Sequence, residues 1–408
     1  MMSRKAKNEL MDTVRPRYLS AGQAGKSRIL DDLVANTGYH RKYAIQLLHH
    51  PRPVRRRGPR VGRRKYIGAV VVALEQVWRS ANCICGKRLA PVIAEYVEAL
   101  ERHGEMHLHW ETRELLLRIS PATVDRLLRR ARQRERPHGL STTKPGTLLK
   151  HSIPIRTFAQ WNDARPGFVE VDLVAHCGET TRGEYVHSLD MTDIPTRWTE
   201  FEPLLNRSQL AVGVAVDRCA SRLPFALLGL DSDNGSEFIN YDLKRYCDEK
   251  RVTFTRCRPY HKNDQAYVEQ KNWSVIRQMV GYDRYEGTAA YQALQALYKP
   301  LRLYVNFFQP VMVLVSKERD GARIKKHYDQ AKTPYRRVLD SPDVSEENKQ
   351  RLQQQYQSLN PAALLRDIQA RQANLWKLAS RPAPLEDLST FLLQMSSQLE
   401  PAGSASPQ

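Results

Sequence analysis

Three carboxylates occupy positions at which acidic side chains perform chemistry more often than packing. Asp172 lies inside FVEVDLV, a run of β-forming residues in which a buried charge is costly unless it binds a cation or a partner. Asp233 follows the apolar segment FALLGL, where the next residues, Asn-Gly, favour a tight turn. Glu269 comes 36 positions after Asp233, just inside a predicted helix. Carboxylates with this placement are candidate metal ligands.

Carboxylate ligands indicate a particular kind of reaction. Mg²⁺ prefers oxygen ligands and keeps several waters, so two or three carboxylates and a substrate phosphate can hold it. Two such ions about 3.5–4 Å apart activate the attacking oxygen and stabilise the leaving oxygen of a phosphodiester. We therefore expect two Mg²⁺ ions, for which Mn²⁺ can substitute, and such a site needs no histidine or cysteine ligand.

The two later carboxylates lie in motifs that can be compared with a known family. Ser-Asp-Asn-Gly-Ser-Glu-Phe occupies 232–238, and Asn263, Asp264, Val268 and Glu269 form an N-D-x-x-x-V-E pattern. Over about 155–325 the sequence resembles the DDE-type integrase core of retroviral integrases and bacterial insertion-sequence transposases. The resemblance implies an α/β ribonuclease H-like fold, with a five-stranded mixed sheet and flanking helices.

The resemblance also implies a function. The family cleaves a DNA strand and then joins the freed 3′-hydroxyl to target DNA, so the expected partners are double-stranded element ends and target DNA, bound by a homo-oligomer. By resemblance, Asp172 bridges both metal ions, Asp233 binds one and Glu269 the other. A non-catalytic DNA-binding regulator and a nuclease without strand transfer are the alternatives.

Other charged residues near the motifs compete for a role. Asp231 lies two residues before Asp233 but outside the triad position, and Asp190 is expected to end the second strand and cap a turn. Lys262 and Lys271 flank Glu269, where they could contact DNA phosphates, although an exposed helix face would look similar for Lys271.

The segments around the carboxylates predict the order of secondary structure. FVEVDLVAH and YVHSLDM, separated by a turn-forming segment, predict an antiparallel hairpin. LNRSQLAVGVAVDRCASR and INYDLKRYCDEKR predict helices, and FALLGLDS and VTFTRC predict strands. This order is typical of a mixed α/β domain.

The chain carries a net charge of +20, and residues 1–150 contain 31 Lys and Arg against 13 Asp and Glu, which places +18 of that charge there. A charge confined to one region indicates a polyanionic partner, bound through phosphate neutralisation and counterion release. A merely basic, soluble surface is the alternative.

Residues 1–50 predict an all-α helix-turn-helix module, with two apolar helical runs separated at Gly38 and with Arg41 and Lys42 at the start of the second. An ordinary helical hairpin fits the same periodicity. Residues 51–66 form a Gly/Pro-broken basic arm suited to backbone or minor-groove contact, or a plain linker. Its candidate DNA contacts are Arg55, Arg56, Arg57, Arg60, Arg63 and Arg64.

Residues 67–136 predict a second helical, helix-turn-helix module, in which Ser120 caps a helix whose apolar face opposes a row of arginines. Arg126, Arg129 and Arg130 are its candidate phosphate contacts. A linker is expected at 137–154.

The remaining sequence is less specific. Residues 326–380 predict a helical extension made of two amphipathic helices, and 381–408 a disordered tail. Six scattered cysteines favour reduced thiols, and the Cys-x-Cys spacing at 83–85 disfavours structural zinc. No apolar run approaches the roughly 18 residues of a membrane span, so the expected compartment is the bacterial cytoplasm, with nucleoid association.

The basic arm generates the first prediction. Replacing Arg55, Arg56 and Arg57 by alanine should weaken binding to all duplex sequences by similar factors, because an extended basic arm contacts backbone phosphates more than bases. Titration of the full-length chain against several unrelated labelled duplexes at several salt concentrations measures this. A loss confined to one sequence would mean that the arm reads bases.

Overall fold

The fold is given by a computed structural model that describes residues 2–50, 66–134, 165–232, 237–238, 240–256, 266–321 and 323–380. The chain divides into two compact units, 1–65 and 66–408. The six arginines of the basic arm that are candidate DNA contacts, the predicted linker and the predicted tail lie outside the described residues, as do Asp233 and Lys262. Among the described residues no helix is both long and apolar enough to cross a membrane.

The first unit is a three-helix cluster. Its helices are α1 (Arg4–Ser20), α2 (Gln23–Thr37) and α3 (Arg41–His49). The two helices predicted around Gly38 are confirmed, and Gly38 ends α2 with φ of +68°, a conformation that glycine adopts without strain. The unit has its own small core, formed by Met11, Tyr18, Leu30, Leu33, Ala44 and Leu48.

The second unit begins with short helices, as the sequence predicted. Ser120 caps α8 by accepting a hydrogen bond from the backbone N–H of Thr123, with Pro121 in the first turn, so the predicted cap is confirmed. The helices are α4 (Ala69–Ser80), α5 (Gly86–Leu89), α6 (Ile93–Arg102), α7 (Trp110–Leu117), α8 (Pro121–Leu127) and α9 (Arg129–Arg134).

A five-stranded mixed sheet follows, and its order along the sheet is β3-β2-β1-β4-β5. β1 pairs antiparallel with β2, and β2 with β3, whereas β4 is parallel to both β1 and β5. This is the ribonuclease H-like sheet that the resemblance implied. The strands are β1 (Phe168–Ala175), β2 (His187–Asp193), β3 (Thr199–Leu204), β4 (Gly229–Ser232) and β5 (Thr253–Arg256).

Helices flank this sheet. Tyr298 of α14 packs its ring on Phe201 of β3, with centroids 5.6 Å apart, while Arg222, just beyond α10, donates to Glu200 and Glu202. Because Phe201 and Glu202 alternate along β3, α14 and α10 cover opposite faces there. The helices are α10 (Gln209–Ser221), α11 (Tyr241–Lys250), α12 (Ala266–Lys271), α13 (Gln278–Val280) and α14 (Gly287–Phe308), with a π-helical turn (Asn272–Arg277) joining α12 to α13.

The C-terminal region contains more structure than the sequence predicted. A two-stranded ribbon precedes three helices where two helices were expected. Thr333, Ser345 and Asn360 each cap a helix with a side-chain oxygen, which divides the segment at places that periodicity alone did not mark. The elements are β6 (Leu314–Asp320), β7 (Arg323–Tyr328), α15 (Pro334–Asp340), α16 (Glu346–Ser358) and α17 (Pro361–Trp376).

Buried tyrosines join the helices at 66–134 to the rest of the second unit. Tyr304 of α14 donates to the carbonyl of Ser80 at 2.8 Å, and Tyr96 of α6 donates to that of Phe308 at 3.0 Å. Both rings are almost completely buried. These hydrogen bonds link segments more than 200 residues apart in the chain, so the helical region and the sheet region share one core.

Tyr304→Phe tests this shared core. Loss of the hydroxyl leaves the buried carbonyl of Ser80 without its donor, so the free energy of unfolding should fall by about 1–3 kcal/mol. All six tryptophans lie in the second unit, so fluorescence-detected urea unfolding of the full chain reports on that unit. Tyr241→Phe, at a ring 92% exposed, is the control and should change nothing. Equal stability of the two variants would contradict a joint core.

Candidate active site

Four carboxylates lie side by side on one face of the sheet. Glu170 and Asp172 are two residues apart in β1 and therefore share a face. Asp190 of β2 is the cross-strand partner of Asp172, and Asp231 of β4 is the partner of Glu170. Cross-strand partners point to the same side, so the four acids form a continuous patch.

Three of these acids, Glu170, Asp190 and Asp231, are buried, and burial is the largest influence on the pKa of Glu170 and of Asp190. Burial, with a smaller contribution from the neighbouring Asp231, raises the pKa of Glu170 to about 8, against the opposing effect of the backbone N–H groups of Val268 and Tyr267. Burial also raises the pKa of Asp190 well above its usual value, against a hydrogen bond from Thr192 at 2.9 Å. Asp231 accepts a hydrogen bond from Thr255 at 2.6 Å.

Asp190 lies in the middle of β2, which runs from His187 to Asp193. The expectation that it ends the strand and caps a turn is therefore wrong.

Helix α12, which carries Glu269, packs on this acidic face. The side chain of Glu170 accepts hydrogen bonds from the backbone N–H groups of Tyr267 and Val268, both at 2.9 Å. These are donors of the first helical turn, which a carboxyl group can satisfy. Arg197, from the turn between β2 and β3, lies over the Tyr267 ring at 3.6 Å. The start of α12 is therefore held by groups from a strand and a turn.

A single side chain connects α12 to Asp172. Asn272, the first residue of the π-helical turn, donates to Asp172 Oδ2 at 2.7 Å. Asn272 follows Glu269 by three residues, so the two side chains lie on neighbouring parts of one helix surface. Asp172 is only half-buried and Glu269 is exposed. The structure thus brings Asp172 beside the helix of Glu269, with both carboxylates open to solvent.

The third predicted ligand, Asp233, lies just beyond the described end of β4. Ser232 at that end pairs with Val171, the neighbour of Asp172. Among the residues that the structure describes, no three His, Cys, Asp or Glu side chains are gathered to hold a metal ion. Asp172 and Glu269 nevertheless offer accessible carboxylate oxygens, the donor type that Mg²⁺ prefers, so the described part of the predicted set fits that ion.

Lys271 is placed differently from the sequence expectation. It is only 5% exposed, because α12 turns this side chain toward the sheet. Burial lowers the pKa of Lys271 to about 7, against an opposing effect of the buried carboxyl of Asp190. A side chain buried in this way does not reach DNA phosphates. The burial of Lys271 therefore argues against the surface contact that was expected of it.

The described N-terminal candidates lie at or near the surface. Arg41 forms an ion pair with Asp31 and donates to Ser27 at 2.8 Å, which orients its guanidinium within the first unit. Lys42 is exposed. In the second unit Arg126, Arg129 and Arg130 are also exposed. Their contact with DNA remains a prediction.

Comparison with known proteins identifies the family. The model of the integrase core domain matches residues 162–262. Uncharacterized protein y4rM of Sinorhizobium fredii (strain NBRC 101917 / NGR234) is 43% identical over 329 residues, which cover 80% of this chain and 93% of that protein. The chain belongs to the y4rM family, within the DDE integrase and transposase superfamily. Among solved structures, the catalytic core domain of BIV integrase in crystal form I aligns at 18% identity and a TM-score of 0.29, over 43% of this chain and 94% of that one.

Membership of the DDE superfamily gives the chain a transposase- or integrase-type function, and integrase-like domains act on DNA. Two positioning residues were not predicted from the sequence: Glu170, which holds the start of α12, and Asn272, which orients Asp172. A signal for Glu170 was present, because strand alternation puts it on the face of Asp172. Asn272 carried no such signal, since its partner lies 100 residues away.

Glu170 generates a prediction about pH. Its carboxyl group keeps its proton in the folded chain up to about pH 8 but releases it near pH 4.5 when unfolded, so the free energy of unfolding falls as the pH rises through that window. Glu170→Gln retains an accepting oxygen without a titrating proton, and should flatten this decline, which is on the order of a few kcal/mol. Unfolding curves from pH 5 to about pH 8 measure it. Glu249→Gln, at an exposed position, should keep the decline, and an unchanged slope for Glu170→Gln would contradict the assignment.

Proposed function

We propose that this protein is a DNA transposase of an insertion-sequence element, which binds the element ends and catalyses metal-dependent DNA strand cleavage and strand transfer. The observation that carries the proposal is the hydrogen bond from Asn272 to Asp172, because it sets Asp172 beside the helix of Glu269 within an integrase core. A non-catalytic regulator and a nuclease without strand transfer are the alternatives, and they differ from the transposase in the DNA cleavage and joining that they predict.

In the proposed mechanism Asp172, Asp233 and Glu269 would hold two Mg²⁺ ions, for which Mn²⁺ would substitute. When bound, the ions supply activation of the attacking oxygen and stabilisation of the leaving oxygen of the phosphodiester. The chain's own contribution is to fix the ligands. Asn272 orients the carboxylate of Asp172, and Glu170 holds the first turn of α12, so that Glu269 keeps a constant distance from the sheet.

Two buried side chains, Asp190 and Lys271, support this arrangement where α12 packs on β2. The carboxyl of Asp190 and the amine of Lys271 interact favourably between α12 and β2, although burial disfavours the charged form of each. This attraction favours one orientation of α12 on β2. Neither residue is exposed, so we assign them positioning roles and no contact with DNA.

DNA binding is assigned mainly to the basic N-terminal 150 residues. Arg41 and Lys42 of the first unit, the arginines of the arm and the exposed arginines of α8 and α9 would neutralise phosphates of the element ends. Lys262, which precedes Glu269 by seven residues, would also contact DNA. A homo-oligomer on DNA would pair the two ends.

Glu269→Gln tests the catalytic assignment. The change keeps the size of the side chain but removes a charge that helps to bind Mg²⁺, so strand cleavage should fall by two or more orders of magnitude on the general scale of lost electrostatic stabilisation. DNA binding should persist, because most positive charge lies elsewhere. The assay measures nicking and strand transfer on a labelled duplex with the element's own ends, beside a gel shift on the same duplex.

Asp231→Asn is the matched control for this experiment. Asp231 belongs to the same acidic patch but is buried and bonded to Thr255, and asparagine retains an accepting oxygen. It should keep substantial activity. If Glu269→Gln cuts normally while Asp231→Asn is inactive, the triad assignment is wrong. If the wild-type chain cleaves DNA but forms no joined products, the nuclease alternative is favoured. If it binds DNA without cleaving it, the regulator alternative is favoured.

A further inference from the structure

The ribbon formed by β6 and β7 is a separate structural element. Within the described part of the chain it pairs with no third strand. Its antiparallel register sets Lys317 directly opposite Lys326 and Arg319 opposite Ile324. Cross-strand partners share a face, and so do residues two apart in a strand. Lys317, Arg319, Ile324 and Lys326 therefore share one side of the ribbon, which we name the cationic face.

Charge is distributed unequally between the two sides of the ribbon. The cationic face carries three positive side chains, all exposed, and none of its four positions is acidic. On the other side Glu318 lies opposite Lys325 and contacts His327 at 3.4 Å. The side of Glu318 is thus partly neutralised, whereas the cationic face is not.

This arrangement is unfavourable for the ribbon alone. Like charges directly opposite each other on a sheet face are destabilising, and an isolated two-stranded hairpin is marginally stable in water. A polyanion lying across Lys317 and Lys326 would convert their repulsion into two attractive contacts. The charge pattern therefore favours a ligand with closely spaced negative charges.

The end of β7 shares a cavity with α12, the helix that carries Glu269. Tyr328 at the end of β7 is 49% exposed and lines a cavity of about 390 Å³. Gln270, Lys271 and Trp273, which follow Glu269 closely in the chain, line the same cavity. Trp273 is 62% exposed. A strand of nucleic acid that leaves the carboxylates along this side would meet the cavity and then the ribbon.

We propose that the cationic face of the β6–β7 ribbon binds the phosphate backbone of double-stranded DNA held at the catalytic site. The proposal rests on the proposed function, since it takes DNA as the substrate. Lys317, Arg319 and Lys326 contact phosphates as exposed cations, and a two-stranded ribbon is narrow enough to follow a DNA groove. The ribbon adds a contact close to the chemistry, separate from the basic N-terminal region.

The test compares two neighbouring lysines on opposite sides of one strand. In the full-length chain, Lys326→Ala removes a cation from the cationic face and Lys325→Ala removes one from the other face, with equal change in net charge. Affinity for a labelled duplex of arbitrary sequence is measured over a range of salt concentrations. Each lost phosphate contact should reduce the slope of log affinity against log salt by about 0.9. We expect this reduction in slope for Lys326→Ala. The double variant that carries both Lys317→Ala and Lys326→Ala should show about twice the reduction, and Lys325→Ala should show none.

A stability measurement separates binding from structure. Without DNA, Lys326→Ala should unfold at the same temperature as the wild type or above it, because a repulsive pair is removed. Equal salt slopes for Lys326→Ala and Lys325→Ala would overturn the proposal, as would a slope change accompanied by loss of folded protein. If Lys326→Ala aggregates without any change in slope, the lysines only protect an open strand edge, and the proposal also fails.

The same experiment keeps this proposal distinct from the proposed function. A wild-type chain that binds no duplex contradicts both. A wild-type chain that binds and cleaves DNA, together with identical slopes for the two lysine variants, contradicts only the role of the ribbon. Conversely, a slope change for Lys326→Ala in a chain that binds DNA but never cleaves it would support the ribbon contact and contradict the transposase.

Discussion

The candidate site depends on one contact, in which the buried side chain of Glu170 accepts hydrogen bonds from the backbone N–H groups of Tyr267 and Val268. The N–H groups of a first helical turn have no partner within their own helix, and burying them unpaired is costly. Glu170 satisfies two of them from the central strand. This contact sets where α12 begins on the sheet, and hence where Glu269 and Asn272 lie relative to Asp172.

The acidic face separates carboxyl groups that hold structure from those available for chemistry. Glu170, Asp190 and Asp231 are buried and bonded within the protein, while Asp172 is half-buried and Glu269 exposed. The difference comes from position in the fold and not from residue type. A carboxylate in an integrase core can thus serve either purpose, and only its neighbours decide which.

Much of the fold followed from local patterns, because hairpin, strand and cap signals act over a few residues. The β1–β2 hairpin, the strands β4 and β5, the helices around Gly38 and the cap at Ser120 were predictable in this way, whereas the five-stranded sheet as a whole was implied by the family resemblance. Lys271 was not, since a lysine in a polar helical sequence gives no sign that its helix turns it toward a buried aspartate. The β6–β7 ribbon was also missed. Its strands are polar on both sides, so they lack the alternation by which a half-buried strand is recognised.

The buried side chains of Asp190 and Lys271 separate the stability of the chain from the orientation of α12. Burying two ionisable groups costs several kcal/mol, and well-packed apolar residues of similar volume often restore equal or greater stability. An aliphatic pair at 190 and 271 could therefore preserve the fold, while the interaction that favours one orientation of α12 on β2 would be gone. Resistance to unfolding and the placement of the helix that carries Glu269 thus depend on different properties of the same two positions.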